Sequence, residues 1–305
     1  MVINAFIFPG QGSQYVGMAK DVFEASSEVR DLYSVASEIL EFDLPNICFA
    51  GPEDELKQTY ITQPAIFVHS MAIFRFLEGK QTTPSAVAGH SLGEYSALCA
   101  AGVFTFENAL RLVKLRGELM QKAGLQKEGA MAAIMGMDEK FVEQICHEAS
   151  KNGVVCIANY NSPIQIVISG APGSVKEAIE LSKDKGARKV VPLVVSGAFH
   201  SPLMEFAVEG LSEALEATEI LKPEIPVYSN VTAKAMKNPD DIRDLLLKQI
   251  TSPVKWAQLM NNMIADGINN FYEIGPGSVL CGLLKRIDRK IASTPINSLE
   301  TISAI

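Results

Sequence analysis

The sequence predicts an α/β protein in which a mostly parallel sheet is covered by helices on both faces. In the first and last parts of the chain, short apolar runs typical of buried strands alternate with longer runs typical of helices. The middle of the chain shows the regular order βαββαβ, which is typical of a ferredoxin-like unit. With 305 residues and 48% hydrophobic content, the chain is large enough to bury a substantial core in each part.

The flanking parts carry the elements expected to form the parallel sheet. We expect strands at 4–8, 85–88 and 269–274 and a helix at 92–101. Gly102 provides the C-terminal stop of that helix, and Thr105 is a suitable N-cap for the next one.

The middle unit has four predicted strands, at 130–135, 154–160, 164–169 and 188–195, and two predicted helices, at 138–151 and 172–185. Because this unit interrupts the larger sheet, the large domain is expected to be discontinuous. We place the large domain at 1–127 and 197–305 and the small domain at 128–196.

Composition excludes several classes of function. The net charge is -8, and no basic stripe with interleaved aromatic residues is present, so we expect no nucleic-acid binding. The five cysteines form no C-x-x-C pair and no metal spacing, which favours a reducing compartment and no metal site. The apolar N-terminal run lacks the features of a signal peptide, and no apolar run reaches membrane-spanning length. We therefore expect a cytoplasmic protein without membrane association.

Segment 89–93, Gly-His-Ser-Leu-Gly, places a serine on a glycine-flanked turn between a predicted strand and a predicted helix. This is the context of a nucleophile elbow. In such a turn Ser91 projects from a strained bend, and the backbone N–H of Leu92 faces the oxygen that becomes negative when an acyl carbonyl is attacked. The alternative is an ordinary turn in which Ser91 only caps the helix.

A serine nucleophile requires a base, and the four histidines are the candidates. His69 falls in an apolar helical stretch, His90 has its side chain directed away from the serine, and His147 lies in a polar helix. His200 follows a valine-rich strand and lies in loop 196–202, which glycine and proline mark. Because catalytic groups are often mounted on loops at strand ends, His200 is the expected base.

The helix after Thr105 carries an arginine on its apolar face. Apolar residues recur there with helical spacing, and the position that completes their stripe is Arg116. A buried guanidinium is costly unless an anion pairs with it, and its planar fork suits a carboxylate. The anion is either a substrate carboxylate or a buried Asp or Glu of the chain, and spacing alone favours neither.

A glycine-rich turn follows the first predicted strand. Segment 10–15, Gly-Gln-Gly-Ser-Gln-Tyr, is similar to a dinucleotide-binding loop, but Tyr15 occupies the place of the third glycine. The alternative is a tight turn that presents backbone N–H groups to a substrate oxygen.

Eight segments resemble the motifs of a known family. They are FPGQGSQ at 8–14, TQPA at 62–65, GHSLGE at 89–94, LRG at 115–117, NYNSP at 159–163, GAFHSP at 197–202, SPV at 252–254 and EIGPG at 273–277. Each is short, but their order and spacing are specific when taken together. On these motifs the chain resembles malonyl-CoA:acyl carrier protein transacylases over nearly its whole length.

The resemblance implies an α/β-hydrolase-like fold for the large domain and a role for each of six residues. Those roles are Ser91 as the nucleophile, His200 as the base, Arg116 as the ligand of the substrate carboxylate, the backbone N–H groups of Gln11 and Leu92 as oxyanion donors, and an oxygen near Gln249, main-chain or amide, that orients the histidine. Phe199 is similar to the malonyl-selective form of its motif.

The reaction implied by the resemblance is ping-pong transfer of a malonyl group from malonyl-CoA to the phosphopantetheine thiol of acyl carrier protein. It would serve fatty acid synthesis or a polyketide pathway, with no metal or further cofactor, and the chain is expected to act as a monomer. Carrier proteins are typically acidic, whereas this chain is itself at -8, so docking is expected to use a local basic patch. The candidates are Lys185, Arg188, Lys189, Lys285 and Arg286.

Two other classes of function remain open. A serine thioesterase or lipase would share the serine turn, but it normally has an Asp or Glu between serine and histidine in chain order and has no need for Arg116. A non-catalytic scaffold or carrier-docking module would need neither Ser91 nor His200.

Overall fold

The computed structural model describes residues 2–78 and 82–305. The strands, in chain order, are β1 (Asn4–Phe8), β2 (Ala86–Gly89), β3 (Ala130–Met135), β4 (Val155–Ser162), β5 (Gln165–Gly170), β6 (Lys189–Leu193), β7 (Val227–Tyr228), β8 (Ala235–Met236), β9 (Asn270–Ile274) and β10 (Ala292–Ile296). The α-helices are α1 (Lys20–Ala25), α2 (Ser27–Leu40), α3 (Leu44–Ala50), α4 (Glu53–Leu56), α5 (Thr59–Leu77), α6 (Gly93–Ala100), α7 (Phe106–Gln126), α8 (Glu139–Ala149), α9 (Pro172–Asp184), α10 (Phe206–Ala217), α11 (Pro239–Thr251), α12 (Trp256–Ala265), α13 (Val279–Ile287) and α14 (Leu299–Ser303).

The larger sheet has the strand order β10-β9-β1-β2-β7-β8. Its neighbouring strands are parallel, except that β8 is antiparallel to β7. Alternate residues of β1 enter different cores. Phe6 and Phe8 pack on one face of the sheet, whereas Ala5 and Ile7 pack on the other. Burial on both faces explains why the central strands β1 and β2 are almost entirely apolar and do not alternate with polar residues.

The smaller sheet is antiparallel, with the strand order β4-β5-β3-β6. Helices α8 and α9 pack on it and bury a separate core that contains Ile134, Val142 and Ile168. The elements follow the predicted order βαββαβ, and β3 has the predicted bounds. Strand β6 ends at Leu193, before the predicted end at 195, because the chain leaves the sheet and Val194 becomes 99% exposed.

Backbone hydrogen bonds join the smaller sheet to the segment that follows α11. The Tyr160 N–H donates to the carbonyl of Val254 at 2.9 Å, and the Val254 N–H donates to the carbonyl of Ala158 at 2.8 Å. The segment after α11 therefore pairs alongside β4, the edge strand of the smaller sheet. This junction joins the smaller sheet to the part of the chain that forms the larger one, and the cavity lined by residues from both parts contains the site described below.

The predicted α/β class with a mostly parallel sheet is confirmed by this topology. Strands β7, β8 and β10 have no counterpart among the predicted elements. The first two contain only two residues each, and β10 is an edge strand that contains Pro295, a residue that weakens strand patterns. Within the described ranges, no helix is both long enough and apolar enough to cross a membrane.

The glycine that begins α6 has no space for a side chain, and a second helical glycine offers a matched control. A Cβ on Gly93 would lie 2.1 Å from the backbone oxygen of Phe8, whereas a Cβ on Gly173 in α9 would have nothing within 4 Å. We expect Gly93→Ala to lower the free energy of unfolding by roughly 1–3 kcal/mol, because β1 and α6 must move apart. Gly173→Ala is expected to raise it by ~0.4–1 kcal/mol through the unfolded-state entropy. Denaturant titrations of both variants check this, and equal effects would contradict the packing argument.

Candidate active site

Ser91 lies on a tight turn between β2 and α6. Its φ is 53°, in the left-handed region that residues with side chains rarely adopt. The turn depends on its glycines, because a Cβ on Gly89 would lie 1.8 Å from the backbone of Gly93. The observed geometry is therefore the strand, turn and helix arrangement of a nucleophile elbow.

Asn230, in the loop after β7, holds this turn in place. Its Oδ1 accepts a hydrogen bond from the Ser91 backbone N–H at 2.7 Å, and its Nδ2 donates to the Gly89 carbonyl at 2.7 Å. The Asn230 side chain is completely buried. Because a strained φ persists only where the surroundings enforce it, we infer that Asn230 positions Ser91.

His200 lies in the loop after β6, and its Nε2 is 2.8 Å from the Ser91 Oγ. Its Nδ1 is 2.8 Å from the main-chain oxygen of Gln249. A carbonyl can only accept, so Nδ1 carries the proton and Nε2 is the acceptor for the serine hydroxyl. Burial first, and then the charge of Arg116, lower the pKa of His200 to about 3. The imidazole is therefore neutral near pH 7, as a general base must be.

Arg116 projects from α7 into the same site and is only 1% exposed. Its Nη1 donates to Gln63 Oε1 at 2.7 Å, and its Nη2 donates to Gln249 Oε1 at 2.9 Å and to Ser91 Oγ at 3.1 Å. Its guanidinium also lies over the ring of Tyr95, 5.6 Å from the centroid. Among the described residues no carboxylate oxygen lies within 4.0 Å of it, so amide oxygens hold the cation without neutralising it.

Gln249, on α11, contacts the site through both its main chain and its side chain. The main-chain oxygen orients His200, while the side-chain Oε1 accepts from Arg116. The side-chain Nε2 donates to the Ser91 carbonyl at 3.0 Å and to Glu94 Oε2 at 2.5 Å. Of the two oxygens considered from the sequence, the main-chain one is in contact with His200, and the amide is used to bridge Arg116 and Glu94.

Gln11 and Leu92 line the same cavity as Ser91, which has a volume of about 460 Å³. In the hydrogen bonds of the described residues, neither backbone N–H has a protein acceptor. Leu92 precedes the first residue of α6, where helical N–H groups have no partner within the helix. Both N–H groups are therefore available to an oxygen atom bound in the cavity.

Among the hydrogen bonds of the described residues, none joins the other three histidines to the Ser91 hydroxyl. His69 is completely buried in α5, where burial lowers its pKa to about 4, and His147 is exposed on α8. The Nε2 of His90 is 2.8 Å from Asn161 Oδ1, and its ring tilts against Trp256. Within the described part of the chain, no group of three or more His, Cys, Asp or Glu side chains could hold a metal ion.

Three polar residues in contact with the site received no firm role from the sequence. Asn230 lies in an irregular loop with no motif around it, Glu94 is recognisable only as the last letter of GHSLGE, and Gln63 lies within the TQPA segment. A buried polar side chain at an otherwise apolar helix position is the signal that could have found Gln63 and Glu94, as it found Arg116.

Comparisons with known proteins agree with this geometry. Residues 5–299 match the family model described as acyl transferase domain. A relative from Bacillus subtilis, named malonyl CoA-acyl carrier protein transacylase, is 45% identical over 299 residues, which are 98% of this chain and 94% of the relative. The chain belongs to the malonyl CoA-acyl carrier protein transacylase family. The resemblance stated from the motifs is thereby confirmed.

Solved structures of transacylases superpose closely on the chain. An acyl carrier protein S-malonyltransferase from Vibrio cholerae gives a TM-score of 0.95 at 42% identity and is covered to 99%, as is this chain. A second structure is described as a type II PKS acyl-carrier protein in complex with its malonyl-transacylase. It gives a TM-score of 0.96 at 40% identity, with coverage of 99% of this chain and 98% of that one.

The low pKa of His200 predicts that the reactivity of the Ser91 hydroxyl depends little on pH between 5 and 7. Labelling of Ser91 by a small uncharged fluorophosphonate needs neutral His200, and a pKa of about 3 keeps it neutral throughout pH 5 to 7. We expect the labelling rate to change by less than about twofold over that range, whereas a histidine with an ordinary pKa would cause a decrease of roughly 25-fold at pH 5.

Intact-mass spectrometry at timed intervals measures the labelling rate, and circular dichroism verifies folding at each pH. His200→Ala is the control and should abolish labelling on the same time scale. A rate that falls with a midpoint near pH 6.5 would contradict the proposed electrostatics.

Proposed function

We propose that this chain is an acyl-carrier-protein S-malonyltransferase that moves malonyl groups from malonyl-CoA to acyl carrier protein for fatty acid synthesis. The observation that carries the proposal is the buried guanidinium of Arg116. It lies 3.1 Å from the Ser91 hydroxyl, and no carboxylate of the described residues is paired with it. An acyl group that ends in a carboxylate would complete this site. A plain hydrolase would have no use for an unneutralised buried cation.

In the first half-reaction, His200 Nε2 takes the proton of the Ser91 hydroxyl as the oxygen attacks the thioester carbonyl of malonyl-CoA. The backbone N–H groups of Gln11 and Leu92 bind the resulting oxyanion. Donors of this kind contribute about 3 kcal/mol each to the stability of such a transition state. The thiol of coenzyme A leaves with the proton from His200, and a malonyl-serine ester remains.

In the second half-reaction, the phosphopantetheine thiol of the carrier protein gives its proton to His200 and attacks the ester. The same two N–H groups bind the second oxyanion. Collapse of this intermediate returns the proton to Ser91 and releases malonyl carrier protein. Arg116 holds the malonyl carboxylate in both half-reactions, through a forked contact that a guanidinium can make and an ammonium cannot.

The finer description of the fold belongs to the same proposal. We assign residues 1–127 and 197–305 to an α/β-hydrolase-like catalytic domain and 128–196 to a ferredoxin-like domain. The order β4-β5-β3-β6 supports the second assignment, since the βαββαβ unit then has its first and third strands at the centre of the sheet. We also propose a cytoplasmic monomer that needs no cofactor beyond the thioester substrates.

A polyketide pathway is the second candidate setting. The similar structure described as a type II PKS acyl-carrier protein in complex with its malonyl-transacylase favours it, because the two settings share the same chemistry and differ only in the carrier protein.

Incubation with radiolabelled malonyl-CoA tests the proposed activity. A stable label on Ser91 that is chased onto added carrier protein supports the transferase. Free malonate without a stable label would instead indicate a hydrolase, and no reaction would indicate a non-catalytic protein. Ser91→Ala is the control for labelling at any other site.

Replacing Arg116 tests the source of malonyl selectivity. We expect Arg116→Ala to lower kcat/KM for malonyl-CoA by roughly thirty-fold to several thousand-fold, because removal of one partner of a buried charged pair costs about 2–5 kcal/mol. Acetyl-CoA has no carboxylate, so its kcat/KM should be unchanged or higher. Arg116→Lys should restore the malonyl reaction only in part. Equal losses on both substrates would make Arg116 a structural residue.

The structure divides the predicted basic patch. Arg286 donates to Gln165, which lines the active-site cavity, and Lys285 is exposed beside it, whereas Lys185 is ion-paired with Glu148 on the surface of the small domain. We propose that carrier protein docks mainly against Lys285 and Arg286.

Charge reversal at Arg286, with charge reversal at Lys185 as the control, tests this docking surface. Arg286→Glu is expected to raise the KM for carrier protein about tenfold, because loss of the attraction and the new like-charge repulsion together cost about 1.4 kcal/mol or more, while the KM for malonyl-CoA stays unchanged. Lys185→Glu is the matched control and should have little effect on either constant. A larger effect of Lys185→Glu would move the docking surface to the small domain.

A further inference from the structure

Glu94 is a buried carboxylate that the reaction above does not use. It lies in the first turn of α6, three residues after Ser91, and its side chain is completely inaccessible to solvent. Its oxygens accept from Gln249 Nε2 at 2.5 Å and from the backbone N–H of Asn230 at 3.4 Å. A carboxylate in such surroundings is costly to ionise unless a cation balances it.

The nearest balancing cation is the one expected to bind the substrate. The Gln249 amide lies between the two groups, accepting from Arg116 at Oε1 and donating to Glu94 at Nε2. No other charged side chain of the described residues faces Glu94. Tyr95, beside it on α6, stays neutral because burial raises its pKa to about 12, and Asn230 and Ser229, from the loop after β7, carry no charge.

The charge of this buried cluster depends on two variables, the proton on Glu94 and the presence of a malonyl carboxylate. With Glu94 ionised, the cluster has no net charge when empty and one excess negative charge when malonyl is bound. With Glu94 protonated, it has one excess positive charge when empty and none when malonyl is bound. Because excess charge is strongly disfavoured among side chains as buried as Glu94 and Arg116, malonyl binding and the ionised state of Glu94 oppose each other.

We propose that Glu94 is a proton-controlled competitor for Arg116: the site binds a malonyl carboxylate tightly only while Glu94 holds its proton. This proposal rests on the proposed malonyltransferase function. Glu94 does not touch the substrate. It acts through the Gln249 amide on the guanidinium that does, and it is therefore a positioning and specificity residue.

The position of the effect on the pH scale follows from the burial of Glu94. Burial raises the pKa of Glu94 to about 8, although its hydrogen bonds and the charge of Arg116 act in the opposite direction. Below pH 8 the carboxyl group is protonated and Arg116 is free for malonyl. Above pH 8 the empty enzyme loses this proton, and binding of malonyl must recover it. Malonyl binding therefore weakens as the pH rises through 8.

The selectivity between two acyl groups isolates this effect from the rest of the chemistry. Second-order rate constants report the free enzyme and free substrate, so titration of the coenzyme A phosphates and of His200 in the empty site affects both substrates alike and cancels in the ratio of their rate constants. We expect the malonyl-to-acetyl ratio of second-order rate constants for acylation of Ser91 to fall by about tenfold between pH 7 and pH 9. Quenched-flow sampling with intact-mass detection measures both rates, even where acetyl transfer is slow.

Two isosteric variants complete the experiment. Glu94→Gln imitates the protonated state, so its ratio should stay close to the wild-type value at pH 7 and remain constant up to pH 9. Glu273→Gln is the matched control. Glu273 is equally buried but accepts from the backbone N–H groups of Leu280 and Cys281 and not from the Arg116 network, so this variant should retain the wild-type decline.

A constant ratio in the wild-type enzyme would overturn the proposal, and so would a decline that persists in Glu94→Gln. A constant wild-type ratio overturns the proposal even if the Glu94→Gln variant fails to fold. Failure of the underlying function has a different signature, because a chain that acquires an acetyl group but no malonyl group at any pH is not a malonyltransferase.

Discussion

The site depends on one buried cation that the protein holds without neutralising it. Arg116 donates to Gln63, Gln249 and Ser91, all of which offer uncharged oxygens. These uncharged acceptors satisfy the hydrogen-bond geometry of the guanidinium but do not neutralise its charge. A neutral dipole stabilises a buried charge far less than a counter-ion does. Under the proposed function, the carboxylate of a dicarboxylic acyl group supplies the missing counter-charge, and this would make the site selective for malonyl.

Two strained residues meet at this cation, and different parts of the fold hold each one. Ser91 has a φ of 53° and His200 a φ of 57°. Asn230 and the packing of Gly89 against Gly93 enforce the first, while the Gln249 carbonyl anchors the imidazole of the second. The distance of 2.8 Å between Ser91 Oγ and His200 Nε2 therefore depends on segments that lie before and after the smaller sheet in the sequence.

The fold class and the reacting groups were accessible from the sequence because their signals are local. A glycine-flanked serine between a strand and a helix, a histidine in a loop after a strand, and an arginine on an apolar stripe each break a pattern that neighbouring residues establish. Gln249 is different, because its main-chain oxygen contacts His200 and any residue type could provide that atom. Asn230 contacts Ser91, and Glu94 contacts the Gln249 amide, in both cases across more than a hundred positions of sequence. Local sequence patterns do not indicate contacts of this kind. Short or edge strands such as β7 and β10 are also hard to predict from the sequence. Two residues are too few to show an alternating pattern, and the proline in β10 is atypical of strands.

The same cation also governs the strength of the base. Burial and the charge of Arg116 are the two largest causes of the low pKa of His200, and both oppose the imidazolium that forms when Ser91 is deprotonated. A carboxylate that pairs with Arg116 cancels the second cause, because the guanidinium and the carboxylate together present almost no net charge to the histidine. Under the proposed function, His200 would therefore be a stronger base when a malonyl group occupies the site than when the site is empty. A neutral carbonyl in place of a triad aspartate keeps this coupling large, since an adjacent aspartate would stabilise the imidazolium whether or not substrate were present.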